Sequence, residues 1–158
     1  MMSIIHYGYG YSKRLCEDVA CWFFNKFLTE SNVIVDIQHR GMKRESAYGY
    51  CSYDGEIGIF SQYSIELDTH MNRELYIKTL FHELTHLKQW EDGSLQMCDG
   101  KMCYYKEPVD NYRYDHQPHE IEAREQEEML YLEYMKHKNL VPVGKVVQNF
   151  PNRLMQAV

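Results

Sequence analysis

The chain has 158 residues, a length that fits one domain, 1–158, with a sizeable hydrophobic core. Hydrophobic residues make up 44% and charged residues 25%, a globular composition that excludes fibrous and disordered classes. Seventeen basic against twenty-three acidic residues give a formal charge of -6, so the overall field repels a phosphate backbone and no nucleic-acid partner is expected.

Met1 to Tyr11 has no basic segment leading into an apolar run, and no stretch of eighteen consecutive apolar residues occurs. No signal peptide and no membrane span are expected. The five cysteines, Cys16, Cys21, Cys51, Cys98 and Cys103, are an odd number without a secretory signal and read as reduced thiols. The expected location is the cytoplasm. Cys16/Cys21 and Cys98/Cys103 share a spacing wider than that of a zinc knuckle, and a five-residue offset on a helix points Cys16 and Cys21 apart. A thiolate metal site is not expected.

Between 13 and 30, Leu15, Val19, Trp22, Phe23 and Phe27 recur at three- and four-residue intervals, which predicts an amphipathic helix. The β-branched run VIVDIQ, 33 to 38, predicts a strand, closed by a turn at Arg40 and Gly41. Residues 46 to 53 and 56 to 60 read as two short strands joined at a hairpin turn, Asp54-Gly55, with a further strand at 64 to 67. From Asn72 to Trp90 the period becomes helical, with Ile77, Leu80, Phe81, Leu84 and Leu87 on one side and Gly93 as the C-terminal cap. Residues 91 to 117 look loop-like, with a short strand possible over Lys101 to Tyr105. Pro118 suits a first helical position and predicts a second helix to about Lys136. The apolar run Val141 to Val147 reads as a terminal strand that could cover a sheet edge.

His82-Glu83-Leu84-Thr85-His86 is an H-E-x-x-H pattern inside the strongest helical segment. Four residues make about one turn, so both imidazoles project from one face and can bind one zinc ion. Glu83, on the adjacent edge, can take a proton from a water that the metal has acidified, which is the chemistry of amide hydrolysis without a covalent intermediate. The competing structural reading is a helix with two exposed histidines and a solvated glutamate.

A catalytic zinc site takes three protein ligands and keeps one position open. Residues 89 to 92 are Gln, Trp, Glu and Asp, so the extended metzincin pattern is excluded. The third ligand is expected from P-H-E-I-E-A, 118 to 123, where Glu120 lies in the first helical turn and Ala123 lets two helices approach closely. Glu122 is the runner-up, about 200° around the helix from Glu120, so only one of the two can face the metal. The competing reading is an acidic helix start favoured by the macrodipole.

With HELTH at 82 to 86 and PHEIEA at 118 to 123, the chain resembles the gluzincin side of the zincins, in which a glutamate from a following helix completes a two-histidine site. It looks in particular like the small metallopeptidases of bacteriophage genomes, over about residues 30 to 135, and more distantly like the ImmA/IrrE and SprT-like groups. His119 stands where many of these relatives carry Trp, which opens a further possibility, that His119 itself coordinates. The resemblance implies an α+β, zincin-like minimal metallopeptidase: an N-terminal helix, a small twisted sheet of three to four strands, the HExxH helix and a second ligand-bearing helix. It implies Zn2+ as cofactor, His82, His86 and Glu120 as metal ligands, and a peptide or protein substrate, met in the host cytoplasm if the chain is phage-encoded. SprT-like action on DNA-bound substrates is not expected, given the acidic balance and the absence of a four-cysteine zinc ribbon.

A transition-state oxyanion needs a donor besides the metal. Tyr114 and His116, just before the ligand helix, are the candidates, and Asp115 could orient a ligand imidazole. The expected function is therefore zinc-dependent hydrolysis of peptide bonds with Glu83 as general base. The alternatives are a catalytically silent zinc-binding domain and hydrolysis of a non-peptide amide.

Overall fold

A computed structural model describes residues 1–140 of the chain. The element order is β1 (Met2–Gly8), α1 (Lys13–Phe27), β2 (Val33–Arg40), β3 (Gly49–Ile57), β4 (Phe60–Asp68), α2 (Arg73–Glu91), β5 (Leu95–Cys98), β6 (Lys101–Tyr104), β7 (Glu107–Pro108) and α3 (Pro118–His137). Two single-turn 3-10 segments, Val109–Asn111 and Tyr114–His116, precede α3. The fold class is α+β, with three helices, a four-stranded mixed sheet and a separate three-stranded sheet. The run Val141 to Val147 lies outside the described residues.

In the larger sheet the strand order is β1-β2-β4-β3. β1 pairs parallel with β2 and β2 parallel with β4, while β3 returns antiparallel along β4 as the edge strand. Parallel neighbours need a crossover, and α1 supplies it between β1 and β2. The alternation of β2 puts Val33, Val35, Ile37 and His39 on one buried face. Tyr63, Ile65 and Leu67 of β4 extend that face, and the helices close over it with Val19, Phe23, Ile77, Leu80, Phe81 and Leu84.

Local signals fix the helix ends that matter to the site. Asn72 caps α2, its side-chain oxygen accepting from the Leu75 N–H at 2.9 Å, and Gly93 follows the helix with φ of 76°. Pro118 opens α3, where its missing N–H costs nothing.

Several expectations are revised. The helix expected to Glu30 stops at Phe27, and the strand expected over 33 to 38 runs on to Arg40. Met2–Gly8, unassigned from sequence, is a full strand of the main sheet. Asp54-Gly55 is not the hairpin turn. The Asp54 carboxylate accepts from the Ser52 and Ser64 hydroxyls, which pins it beside β4, and the extra residue appears as a bulge between Tyr53 and Gly55. The chain reverses instead at Gly58-Ile59, with Ile57 paired to Phe60 and Gly58 at φ of 63°. The expected strands at 56 to 60 and 64 to 67 are thereby redistributed between β3 and a single long β4. The segment read as loop from 91 to 117 carries the second sheet, ordered β5-β6-β7.

Candidate metal centre

α2 and α3 pack closely, with Ala123 fully buried. One turn apart on α2, His82 and His86 bring their Nε2 atoms to 3.1 Å of each other. The Glu120 carboxylate reaches across from the first turn of α3. Its Oε2 lies 3.2 Å from His82 Nε2 and its Oε1 3.5 Å from His86 Nε2. The three donors lie within 4.8 Å of one another and form a triad able to hold a metal ion.

The outer nitrogens of both imidazoles are committed. His82 Nδ1–H donates to Glu127 Oε2 at 2.8 Å, and His86 Nδ1–H donates to Gln89 Oε1 at 2.9 Å. With Nδ1 carrying the proton in each ring, both Nε2 lone pairs are directed at the same point as the Glu120 carboxylate. Two lone pairs and a carboxylate this close repel unless a positive charge sits among them.

Where no ion is bound, protons on Nε2 meet that demand, and the proton affinities reflect it. Burial disfavours the charged form of His82, but the hydrogen bonds to Glu120 and Glu127 outweigh it and push the imidazole up to about 10. Burial likewise opposes ionisation of Glu120, yet hydrogen bonds from His82 and His86 hold its carboxyl well below the usual range. Glu83 behaves differently. Burial pushes its carboxyl up to about 7, against the pull of His86 and His82.

A cleft of about 600 Å³ opens beside the triad, with His82, Glu83, Thr79, Gly49, Tyr114 and Glu127 in its lining. Glu83 is 5% exposed and faces the first residue of β3: a Cβ at Gly49 would meet Glu83 Oε1 at 2.7 Å. Tyr114 stands at the mouth, 68% exposed, and its phenol is pushed up to about 12 by burial of its hydroxyl end and by the neighbouring Glu120. It is therefore a protonated donor at neutral pH.

Other candidates are placed elsewhere. His116 is exposed and paired with Asp115 at 3.1 Å, outside the cleft lining, and the Asp115 carboxylate reaches Arg113 rather than a triad imidazole. Glu122 turns away from the triad and accepts from Gln89 and Tyr104. His119 is 3% exposed, its Nε2 3.7 Å from Glu120 Oε1, and burial, with His86 adding to it, lowers its imidazole to about 4. Its Nδ1 has no hydrogen-bond partner among the described residues.

Glu127, Gln89 and Gly49 were not singled out from the sequence. Two had a legible signal, since Glu127 follows Glu120 and Gln89 follows His82 by seven residues, two helical turns on the same face. Gly49 had none, because only tertiary packing brings β3 against Glu83. Among the described residues no helix is long and apolar enough to cross a membrane. No family model, curated protein or solved structure matches the chain.

Proposed function

We propose that this chain is a zinc-dependent peptidase of the zincin type. The observation that carries the reading is the donor geometry. Tetrahedral zinc with bonds of about 2.1 Å sets its ligands about 3.4 Å apart. Here the two Nε2 atoms are 3.1 Å apart, one Glu120 oxygen lies 3.2 Å from His82 Nε2 and the other 3.5 Å from His86 Nε2, and one donor atom from each residue lies within 4.8 Å of the other two; two imidazoles and a carboxylate are the donor set of a catalytic zinc. A helix bearing both histidines beneath a mixed sheet with an antiparallel edge strand, followed by a helix bearing the glutamate, also fits the minimal zincin plan.

Zinc, when bound, supplies Lewis acidity that polarises a scissile carbonyl and acidifies an adjacent water. The chain's own groups do the rest. Glu83, buried beside His82 in the cleft lining, is placed to accept a proton from the attacking water and return it to the leaving nitrogen as the C–N bond breaks. The products are a carboxylate and an amine. Tyr114, protonated and at the cleft mouth, donates a hydrogen bond to the carbonyl oxygen as charge develops there. β3 is an edge strand running past Glu83, so an extended peptide can add to it through backbone hydrogen bonds.

The test is cleavage of an unstructured peptide library by wild-type and Glu83→Gln protein at matched zinc content. Cleavage by the wild type that is lost in the variant supports the reading. Equal cleavage by both removes Glu83 as the base, and none by either removes the peptidase assignment.

A further inference from the structure

The second sheet has no part in the chemistry above, yet one of its side chains is tied to the metal centre. Gln89, one helical turn beyond His86, is 1% exposed, and its amide is fully used. Oε1 accepts from His86 Nδ1–H at 2.9 Å, while Nε2 donates both to the His119 carbonyl at 3.0 Å and to Glu122 Oε2 at 2.7 Å. The same Glu122 oxygen accepts from the Tyr104 hydroxyl at 2.6 Å. Tyr104 belongs to β6, the central strand of the small sheet.

Each link has only one sense. Glu122 as a carboxylate only accepts, so the Gln89 NH2 must face it. The amide oxygen must then face His86, and His86 must carry its proton on Nδ1. Nε2 is left as a lone pair directed at His82 and Glu120. The opposite amide orientation would set Gln89 oxygen against both the His119 carbonyl and the Glu122 carboxylate.

We infer that Glu122, Gln89 and Tyr104 form a positioning relay that fixes the tautomer and orientation of His86 as a metal ligand, with the β5-β6-β7 sheet as its anchor. The inference rests on the zinc reading of the triad. The relay crosses three elements: the end of α2, the first turns of α3, and β6. Rotation of the Gln89 amide would break all three of its bonds at once, so His86 is held more firmly than a lone imidazole on a helix. His82 is held by one carboxylate, Glu127, whereas His86 is held by a neutral amide that a carboxylate orients from behind.

The experiment compares zinc affinity, by competition with a chromophoric chelator, and the visible spectrum of the cobalt-substituted protein, in wild type, Gln89→Leu, Glu122→Leu, Glu122→Gln and Tyr104→Phe. Loss of such an outer partner lowers metal affinity about 10- to 100-fold. That loss, with an altered cobalt spectrum, is expected for Gln89→Leu and Glu122→Leu. Glu122→Gln keeps an acceptor for both donors and should recover most of the affinity. Tyr104→Phe removes one hydroxyl without touching α2 or α3, and a several-fold loss at unchanged circular dichroism is expected, which keeps the test valid should the leucine variants fail to fold. Wild-type affinity and spectrum in Tyr104→Phe, or in either leucine variant that folds, would overturn the relay while leaving the zinc site standing. A wild type that binds neither zinc nor cobalt would instead overturn the reading on which the relay rests.

Discussion

Gly49 and Glu83 are in such close register that a single added carbon on the first would lie 2.7 Å from Oε1 of the second. The backbone at Gly49 is not in the left-handed region, so alanine is tolerated there conformationally and acts only by displacing the carboxylate. Misplacing a reacting group by about 1 Å costs about 100-fold in rate. Gly49→Ala is expected to lower kcat by 10- to 100-fold with zinc content unchanged, as read from steady-state cleavage beside elemental analysis. Full activity in Gly49→Ala would mean that Glu83 has room to spare and is not held against β3.

Glu127 is the carboxylate behind His82, and its removal should act on the metal rather than directly on the chemistry. Glu127→Ala is expected to weaken zinc binding about 10- to 100-fold, and Glu127→Gln, which can still accept from Nδ1–H, by less. Chelator competition reads both. Equal affinity in all three proteins would make the 2.8 Å contact between Glu127 and His82 incidental.

Tyr114 and His116 lie two residues apart and separate cleanly. Loss of one oxyanion donor costs about 100- to 1,000-fold in kcat. Tyr114→Phe should show a loss of that order with little change in zinc content, whereas His116→Ala, outside the cleft, should match wild type. The reverse pattern would mean that the 113 to 117 segment rearranges around substrate.

His39 gives a pH dependence that does not involve the metal. Its Nδ1–H donates to the Tyr7 carbonyl at 3.2 Å, its Nε2 accepts from the Tyr76 hydroxyl at 2.9 Å, and Tyr11 stacks on it at 3.4 Å. Burial lowers its imidazole from 6.5 to about 4, with His6 adding to the effect against the Tyr7 bond. Above 6.5 neither folded nor unfolded chain holds this proton, so the full contribution is present. Between 6.5 and about 4 only the unfolded chain binds it, and stability falls as pH falls. The contribution is roughly 3 kcal/mol. His119, also lowered to about 4, works in the same direction. Glu83, whose carboxyl burial raises to about 7, opposes this over the same range, so the test is a difference: in urea unfolding with chelator present, wild-type stability should fall relative to that of His39→Gln as pH drops from 7 to 4.5. An identical slope in the two proteins would contradict a neutral buried His39.

The candidate triad was legible because its signal is local. His82 and His86 are one helical turn apart, and Glu120 opens a helix announced by Pro118. The groups behind them were legible only in part: seven-residue spacing puts Glu127 and Gln89 on the right helix faces, but nothing local pairs them with their partners. The partner of His82 is 45 residues away, and the Glu122 that Gln89 binds is 33 residues away. Such pairs exist only once α2 and α3 have packed. Glu122 shows the limit well: on the helical wheel it competes with Glu120 as a ligand, and the fold gives it a different task one layer out. Asp54-Gly55 shows the same limit for the sheet, since its strong local turn preference gives way to side-chain bonds with Ser52 and Ser64. Met2–Gly8 carried too short and too mixed a pattern to stand out, and becomes a strand because Val33–Arg40 lies alongside it.

The most direct measurement is metal content by elemental analysis of purified wild-type and His86→Ala proteins, beside a peptide cleavage assay with and without chelator. One zinc per chain in the wild type, absent from His86→Ala and matched by chelator-sensitive cleavage, is the expected result. Equal metal content in the two proteins, or cleavage indifferent to chelator, would contradict a zinc peptidase centred on His82, His86 and Glu120.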